Sequence, residues 1–228
     1  MTIKEKLDII KDNVSAAAAK AGRNFSDITV VAVTKTVEIA RIEPVLELGF
    51  TKIGENYVQE LLAKYDLLSE KVDEFHFIGH LQSNKVKYII DKVKLIHSVD
   101  SLSLIKEIDR QAKKIGKIQD ILIEVNLAKE ESKSGIFKEN LSELLEKSAE
   151  FSGISIKGLM TIPPLSYDEY ALRKTYSELY GISQNIKEKN VGIDMKFLSM
   201  GMSGDYQTAI SEGANMVRIG TGIFGARV

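Results

Sequence analysis

Eight short apolar runs, each followed by a longer segment with helical spacing, constrain the fold of this chain more than any other feature. They are TVVAVTK (Thr29 to Lys35), TKIGEN (Thr51 to Asn56), FHFIGH (Phe75 to His80), LIHSVD (Leu95 to Asp100), DILIEVNL (Asp120 to Leu127), ISIKGLMTI (Ile154 to Ile162), FLSMG (Phe197 to Gly201) and MVRIG (Met216 to Gly220). Strands buried on both faces read as near-continuous Val/Ile-rich runs, and strand alternating with helix is the rhythm of a parallel α/β protein. Eight such units match a (β/α)8 TIM-type barrel, with an open doubly wound sheet as the alternative.

An amphipathic helix precedes the first run. Ile3, Leu7, Ile10, Val14, Ala17 and Ala21 recur at spacings of four and three, and Gly22 can close the helix. Few residues follow the eighth run, so this extra N-terminal helix is expected to cover the side of the barrel left bare there. No Ser/Gly/Pro-rich linker interrupts the rhythm, which predicts one domain over residues 1–228.

Composition narrows the function classes. A formal net charge of -1 carries no basic excess for nucleic acid. Cysteine is absent, which removes disulfides, a thiol nucleophile and thiolate metal sites. The charged N-terminus MTIKEKLDII has no apolar leader core, and no apolar run is long enough to span a bilayer, so no membrane partner and a cytoplasmic location are expected.

In a barrel the chemistry lies at the C-terminal ends of the strands. Those positions hold Lys35, Asn56, His80, Asn126, Met160 with Thr161, Ser199 with Ser203, and Arg218. Lys35 closes an apolar strand, where desolvation lowers an amine's pKa and frees a nucleophile for Schiff-base formation; a lysine reaching the rim, or pairing with Glu55, is the bland alternative. Ser203, Gly204 and Asp205 precede YQTAISEG, which has helical spacing, and GTG (Gly220 to Gly222) lets a second backbone approach closely. In barrels the loops after strands 7 and 8 often form a phosphate cup; capping and chain turning are the simpler readings of each loop. Arg218, inside an apolar strand, requires an acceptor, either a carboxylate or a ligand atom.

The remaining motifs are weaker. His76 and His80 share one face of a strand, without a third metal ligand, so no metal site is expected. His76 and His97 read as core or supporting residues, and His80 as a site wall. LQSNKVKYIIDKV starts with a plausible cap at Ser83 and carries a solvated basic face. AKEESKSG (Ala128 to Gly135) is either a lid or a surface loop.

VAVTKT, IGENYVQE, HFIGHLQSNK, SVDS, EESKSGI, GLMTI, LSMGMSGD and VRIGTGIFGAR together resemble the pyridoxal phosphate homeostasis proteins, in the same order and across nearly the whole chain. That family is similar in fold to the N-terminal barrel of alanine racemases and holds pyridoxal 5′-phosphate (PLP) as a Schiff base. The resemblance implies Lys35 as the Schiff-base lysine and Arg218 beside the pyridine nitrogen. It implies Ser203, Gly220 and Thr221 around the phosphate, and Asn56, Met160 and Ser199 lining the cofactor. The fifteen residues from Ser203 to Arg218 match the corresponding spacing in alanine racemases. TIPP, Thr161 to Pro164, departs from the single proline of many relatives.

The function implied is PLP homeostasis: a carrier or regulator without catalytic turnover, with PLP-dependent apoenzymes as recipients, acting as a monomer or weak dimer. A PLP-dependent amino-acid racemase is the alternative. Racemases of similar fold draw a second acid/base tyrosine from a C-terminal β-domain, which this chain, ending at Val228, is expected to lack. Tyr57 or His80 would have to replace it. A Schiff-base aldolase fits Lys35 and the phosphate cup but leaves Arg218 unexplained.

Overall fold

The computed structural model describes residues 1–128, 134–163, 168–189 and 193–226. All eight predicted runs form strands: β1 (Thr29–Val33), β2 (Lys52–Glu55), β3 (Glu74–Phe77), β4 (Leu95–Val99), β5 (Gln119–Asn126), β7 (Ile154–Met160), β8 (Phe197–Ser199) and β9 (Met216–Ile219). Each pairs in parallel with its neighbours, and β1 pairs with β9 while β4 pairs with β5, so the sheet closes into a barrel. The open-sheet alternative is thereby excluded. An unforeseen two-residue strand, β6 (Ile136–Phe137), adds to the end of β5 through Val125 and Asn126.

The helices are α1 (Ile3–Lys20), α2 (Ile39–Glu47), α3 (Val58–Leu68), α4 (Val86–Ile89), α5 (Leu102–Lys114), α6 (Lys138–Ser148), α7 (Glu169–Glu188), α8 (Tyr206–Ser211) and α9 (Thr221–Phe224). A capping box sets the start of α1: Thr2 accepts from the Glu5 N–H, and Glu5 reaches back to the Thr2 N–H. Gly22 takes φ 69°, the left-handed conformation that ends the helix. α1 packs on α8, α9 and α2, covering the side beyond the last strand as expected. Leu7, Ile10 and Val14 are buried in that contact, each worth about 2 kcal/mol. Ser83 opens a 3₁₀ turn ahead of α4 and makes no cap hydrogen bond. No helix among the described residues is long and apolar enough to cross a membrane.

Period-two alternation sorts the strand side chains. Val31, Leu95, Leu122, Met160 and Met216 pack together inside the barrel. Their neighbours Ala32, Ile96, Ile121, Ile123, Leu159 and Val217 belong to the layer between sheet and helices. Arg218 has the parity of Met216, and Glu124 that of Leu122, so both belong to the interior-facing set. Close strand approach at β7 requires Gly158: a Cβ there would lie 1.8 Å from the Phe197 carbonyl oxygen.

Each predicted run overshoots its strand by one to three residues at the C-terminal end. Those residues lie past the paired stretch of each strand, and they include Lys35, Asn56, Thr161 and Gly220. The His80 expectation changes for this reason. β3 ends at Phe77, so His80 lies beyond the strand periodicity, is exposed, and sits 3.4 Å from the Ser134 hydroxyl through Nδ1. His76 remains buried. The proposed lid falls largely on residues 129–133, and the second proline of TIPP is Pro164; both lie outside the described residues.

Candidate functional site

At the C-terminal ends of β1, β2 and β9 a cavity of about 730 Å³ is lined by Lys35, Asn56, Ser203, Arg218, Gly220 and Thr221. Its size suits a small-molecule ligand. A larger hollow, about 880 Å³, lies between α6 and α7 against Ile154 and Ile156; it carries none of the candidate residues. Met160 and Ser199, also expected at the site, are fully buried. Met160 packs in the interior cluster, and Ser199 meets the cavity through Arg218.

Lys35 is partly buried, and the residues either side of it are clamped. The Thr34 carbonyl accepts from Lys64 Nζ at 2.6 Å, and the Thr34 hydroxyl donates to Glu55 Oε1 at 2.5 Å. Lys64 also donates to Glu55 Oε1 at 2.7 Å. On the other side, the Thr36 N–H donates to Glu60 Oε2 at 2.6 Å. Thr36 has φ 59°, a left-handed conformation that is unfavourable for a β-branched residue and is found mostly at functional sites. Glu55, the structural partner weighed for Lys35, is thus held by Lys64 and Thr34. Burial pushes its carboxyl above the usual range, opposed by those two hydrogen bonds.

Arg218 is 4% exposed, yet the ion pairs of the described residues include no carboxylate partner for it. Nη1 donates to Ser199 Oγ at 2.6 Å and Nη2 to the Thr161 carbonyl at 3.0 Å. Two neutral acceptors therefore hold the guanidinium, leaving other N–H groups of its five uncommitted by these bonds. Burial lowers its pKa, with Tyr176, Glu124 and Asp205 acting in the opposite sense; a guanidinium stays charged regardless.

The two loops of the expected phosphate cup meet at Ser203. Its hydroxyl oxygen accepts from the N–H groups of Gly220 at 3.1 Å and Gly222 at 3.0 Å. Backbone donors from the β9–α9 turn thus converge on a hydroxyl from the β8–α8 loop. Asp205 occupies the N-cap position of α8, but its carboxylate turns back to the Met202 N–H at 2.5 Å. Asn56 adds a buried side-chain oxygen for which no described residue is a donor. Its backbone is held close to the next loop, since a Cβ on Gly79 would lie 2.4 Å from the Asn56 carbonyl oxygen.

Some side chains around the site were not singled out from the sequence. Lys64, four residues after Glu60, falls on the buried face of α3 with Val58 and Leu61. Glu124 carried a signal, a lone acid within ILIEVN. It is 3% exposed, and its carboxyl is pushed up to about 7 by burial, helped by Asp100 and opposed by Arg218.

The chain is similar to several known proteins. The family described as alanine racemase, N-terminal domain, matches residues 6–228. The pyridoxal phosphate homeostasis protein of Aquifex aeolicus is 41% identical over 98% of this chain and 97% of its own length. Its counterpart in Escherichia coli K12 is 35% identical over 99% and 97%. The structure of PipY from Synechococcus elongatus with PLP bound superposes with a TM-score of 0.85 at 29% identity, covering 98% of this chain and 100% of that one. Alanine racemase from Corynebacterium glutamicum shares the fold, with a TM-score of 0.68 at 15% identity, covering 97% of this chain and 62% of that one. The chain therefore belongs to the pyridoxal phosphate homeostasis protein family, within that of the alanine racemase N-terminal domain.

Proposed function

We propose that this chain, acting as one barrel domain over residues 1–228, binds PLP through Lys35 and serves intracellular PLP homeostasis without catalytic turnover of its own. The observation that carries the reading is the single cavity uniting Lys35, the Ser203–Gly220 junction and Arg218. When bound, PLP supplies an aldehyde open to attack by an amine and a pyridine ring that withdraws electrons when its nitrogen is protonated. The polar groups fit such a molecule: an amine, backbone N–H groups with hydroxyls for a phosphate, a guanidinium for a ring nitrogen, and the Asn56 oxygen, to which no described residue donates.

Lys35 provides the Schiff-base amine, held by the clamps on Thr34 and Thr36. Ser203, Gly220 and Thr221 hold the phosphate, while Asn56 orients the ring. Met160 and Ser199 support from beneath, Ser199 by fixing Arg218. Arg218 donates to the ring nitrogen and has no proton to yield, so it keeps that nitrogen an unprotonated acceptor and disfavours carbanion chemistry. Release to PLP-dependent apoenzymes in the cytoplasm, from a monomer or weak dimer, completes the reading.

The likeness of fold to alanine racemase favours one competing reading, an amino-acid racemase. Solvent deuterium entering the α-position of an amino acid would support it. The primary test is the visible spectrum of the protein with PLP, followed by borohydride reduction and peptide mapping. A yellow band with the pyridoxyl group on the Lys35 peptide is expected; label scattered over surface lysines would overturn the proposal.

A further inference from the structure

Beneath the cavity a file of polar side chains crosses the barrel interior. Arg218 Nη1 donates to Ser199 Oγ at 2.6 Å, and Ser199 Oγ lies 2.9 Å from His97 Nδ1. His97 Nε2 is 2.8 Å from His76 Nδ1, and His76 Nε2 is 2.9 Å from Glu74 Oε2. Ser199, His97 and His76 are fully buried. Glu74, the first residue of β3, is partly exposed and paired with Lys52, so the file runs from the cavity to the opposite mouth of the barrel.

Its two ends dictate its polarity. A guanidinium only donates and a carboxylate only accepts. Ser199 therefore accepts from Arg218 and gives its single proton to His97 Nδ1. His97 then carries its own proton on Nε2 and donates it to His76 Nδ1; His76 in turn donates from Nε2 to Glu74. The opposite tautomer in either neutral ring sets two donors or two acceptors face to face. Burial keeps both imidazoles in the neutral form this arrangement needs. The hydrogen bond from His76, aided by Lys52, holds the Glu74 carboxyl at about 2.

We propose that Glu74, His76 and His97 are positioning residues for Arg218: acting through Ser199, they fix the guanidinium as a permanent donor at the cavity floor. Because the Ser199 proton is committed to His97, Ser199 contributes no donor to a ligand, and of this pair it is Arg218 that presents one. The proposal rests on the PLP reading only for the identity of the atom that Arg218 faces; the file of hydrogen bonds exists without a ligand.

Nitrogen-15 NMR of histidine-labelled, PLP-free protein tests the file directly. Two histidines are expected with a proton on Nε2 and none on Nδ1, unchanged between pH 8 and 6.5. Glu74→Gln retains an acceptor and keeps this pattern, whereas Glu74→Lys puts a donor at that end and moves both protons to Nδ1. In the PLP-loaded protein, Glu74→Lys and His76→Phe should each shift the visible absorption band, while Glu74→Gln leaves it in place. An Nδ1–H tautomer in the wild-type pair, or a band that neither disruptive variant moves, overturns the proposal. Absence of any PLP band in the wild type would instead strike the PLP reading, with the tautomers still deciding the file.

Discussion

Lys64 of α3 donates to the carbonyl oxygen of Thr34 at 2.6 Å, tying a buried cation to the residue before Lys35. The same ammonium binds Glu55, whose side chain is fully buried, and Glu60, which in turn holds the Thr36 N–H. Removing one member of such a pair strands a buried charge, at a cost of about 3–5 kcal/mol. Lys64→Met should lose that much stability in urea denaturation and should slow PLP loading. Combining it with Glu55→Gln should recover a large part of the stability. A loss below about 1 kcal/mol for the single variant would show that the clamp is not a coupled unit.

The same region shows what the sequence could and could not disclose. Strands buried on both faces had to be apolar, so the barrel was legible from eight runs, and charges inside those runs exposed Lys35 and Arg218. Strand ends were less legible, because the ladder stops where φ and ψ change, as at Thr36, and no apolar count reports that. The partnership of His76 with His97 depends on the register that sets His76 beside Leu95, a non-local fact. Lys64 was not legible because i,i+4 spacing with Glu60 describes a solvated pair and a buried one equally well.

The junction of the two loops at Ser203 separates phosphate recognition from ring recognition. Ser203→Ala removes the hydroxyl on which the Gly220 and Gly222 N–H groups converge. A hydrogen bond to a charged group contributes about 1.5–3 kcal/mol, so PLP affinity should fall roughly ten- to hundredfold. Pyridoxal, which lacks the phosphate, should bind variant and wild type alike in the same absorbance titration. An equal loss for both ligands would place Ser203 outside the phosphate site.

Arg218 governs reactivity in the proposed arrangement. Arg218→Glu exchanges a group that only donates for one that accepts, which favours a protonated ring nitrogen. Each 1.4 kcal/mol gained in the transition state is about tenfold in rate, so single-turnover transamination of an amino acid should accelerate by about tenfold or more. Stopped-flow absorbance measures it. Unchanged rates, with PLP still bound, would mean that Arg218 does not face the ring nitrogen.

Glu124 gives a pH prediction of definite sign. Its folded carboxyl is pushed up to about 7, against 4.5 for an unperturbed glutamate, because burial first and Asp100 second disfavour the charge, with Arg218 opposing them. Between these values the unfolded chain gives up a proton that the folded chain keeps, so this group's contribution to stability declines as pH rises through the window. The total is on the order of 3 kcal/mol. The buried His76 and His97 act in the other direction below the usual histidine range, since the unfolded state gains their protons first. For that reason the difference between Glu124→Gln and wild type, rather than the wild-type curve, isolates the effect. Urea midpoints should coincide at pH 4.5, diverge by pH 6, and favour Glu124→Gln by on the order of 3 kcal/mol at pH 8. A difference that stays constant with pH, or a wild type more stable at pH 8, would show that Glu124 ionises inside the barrel without penalty, its charge matched by Arg218.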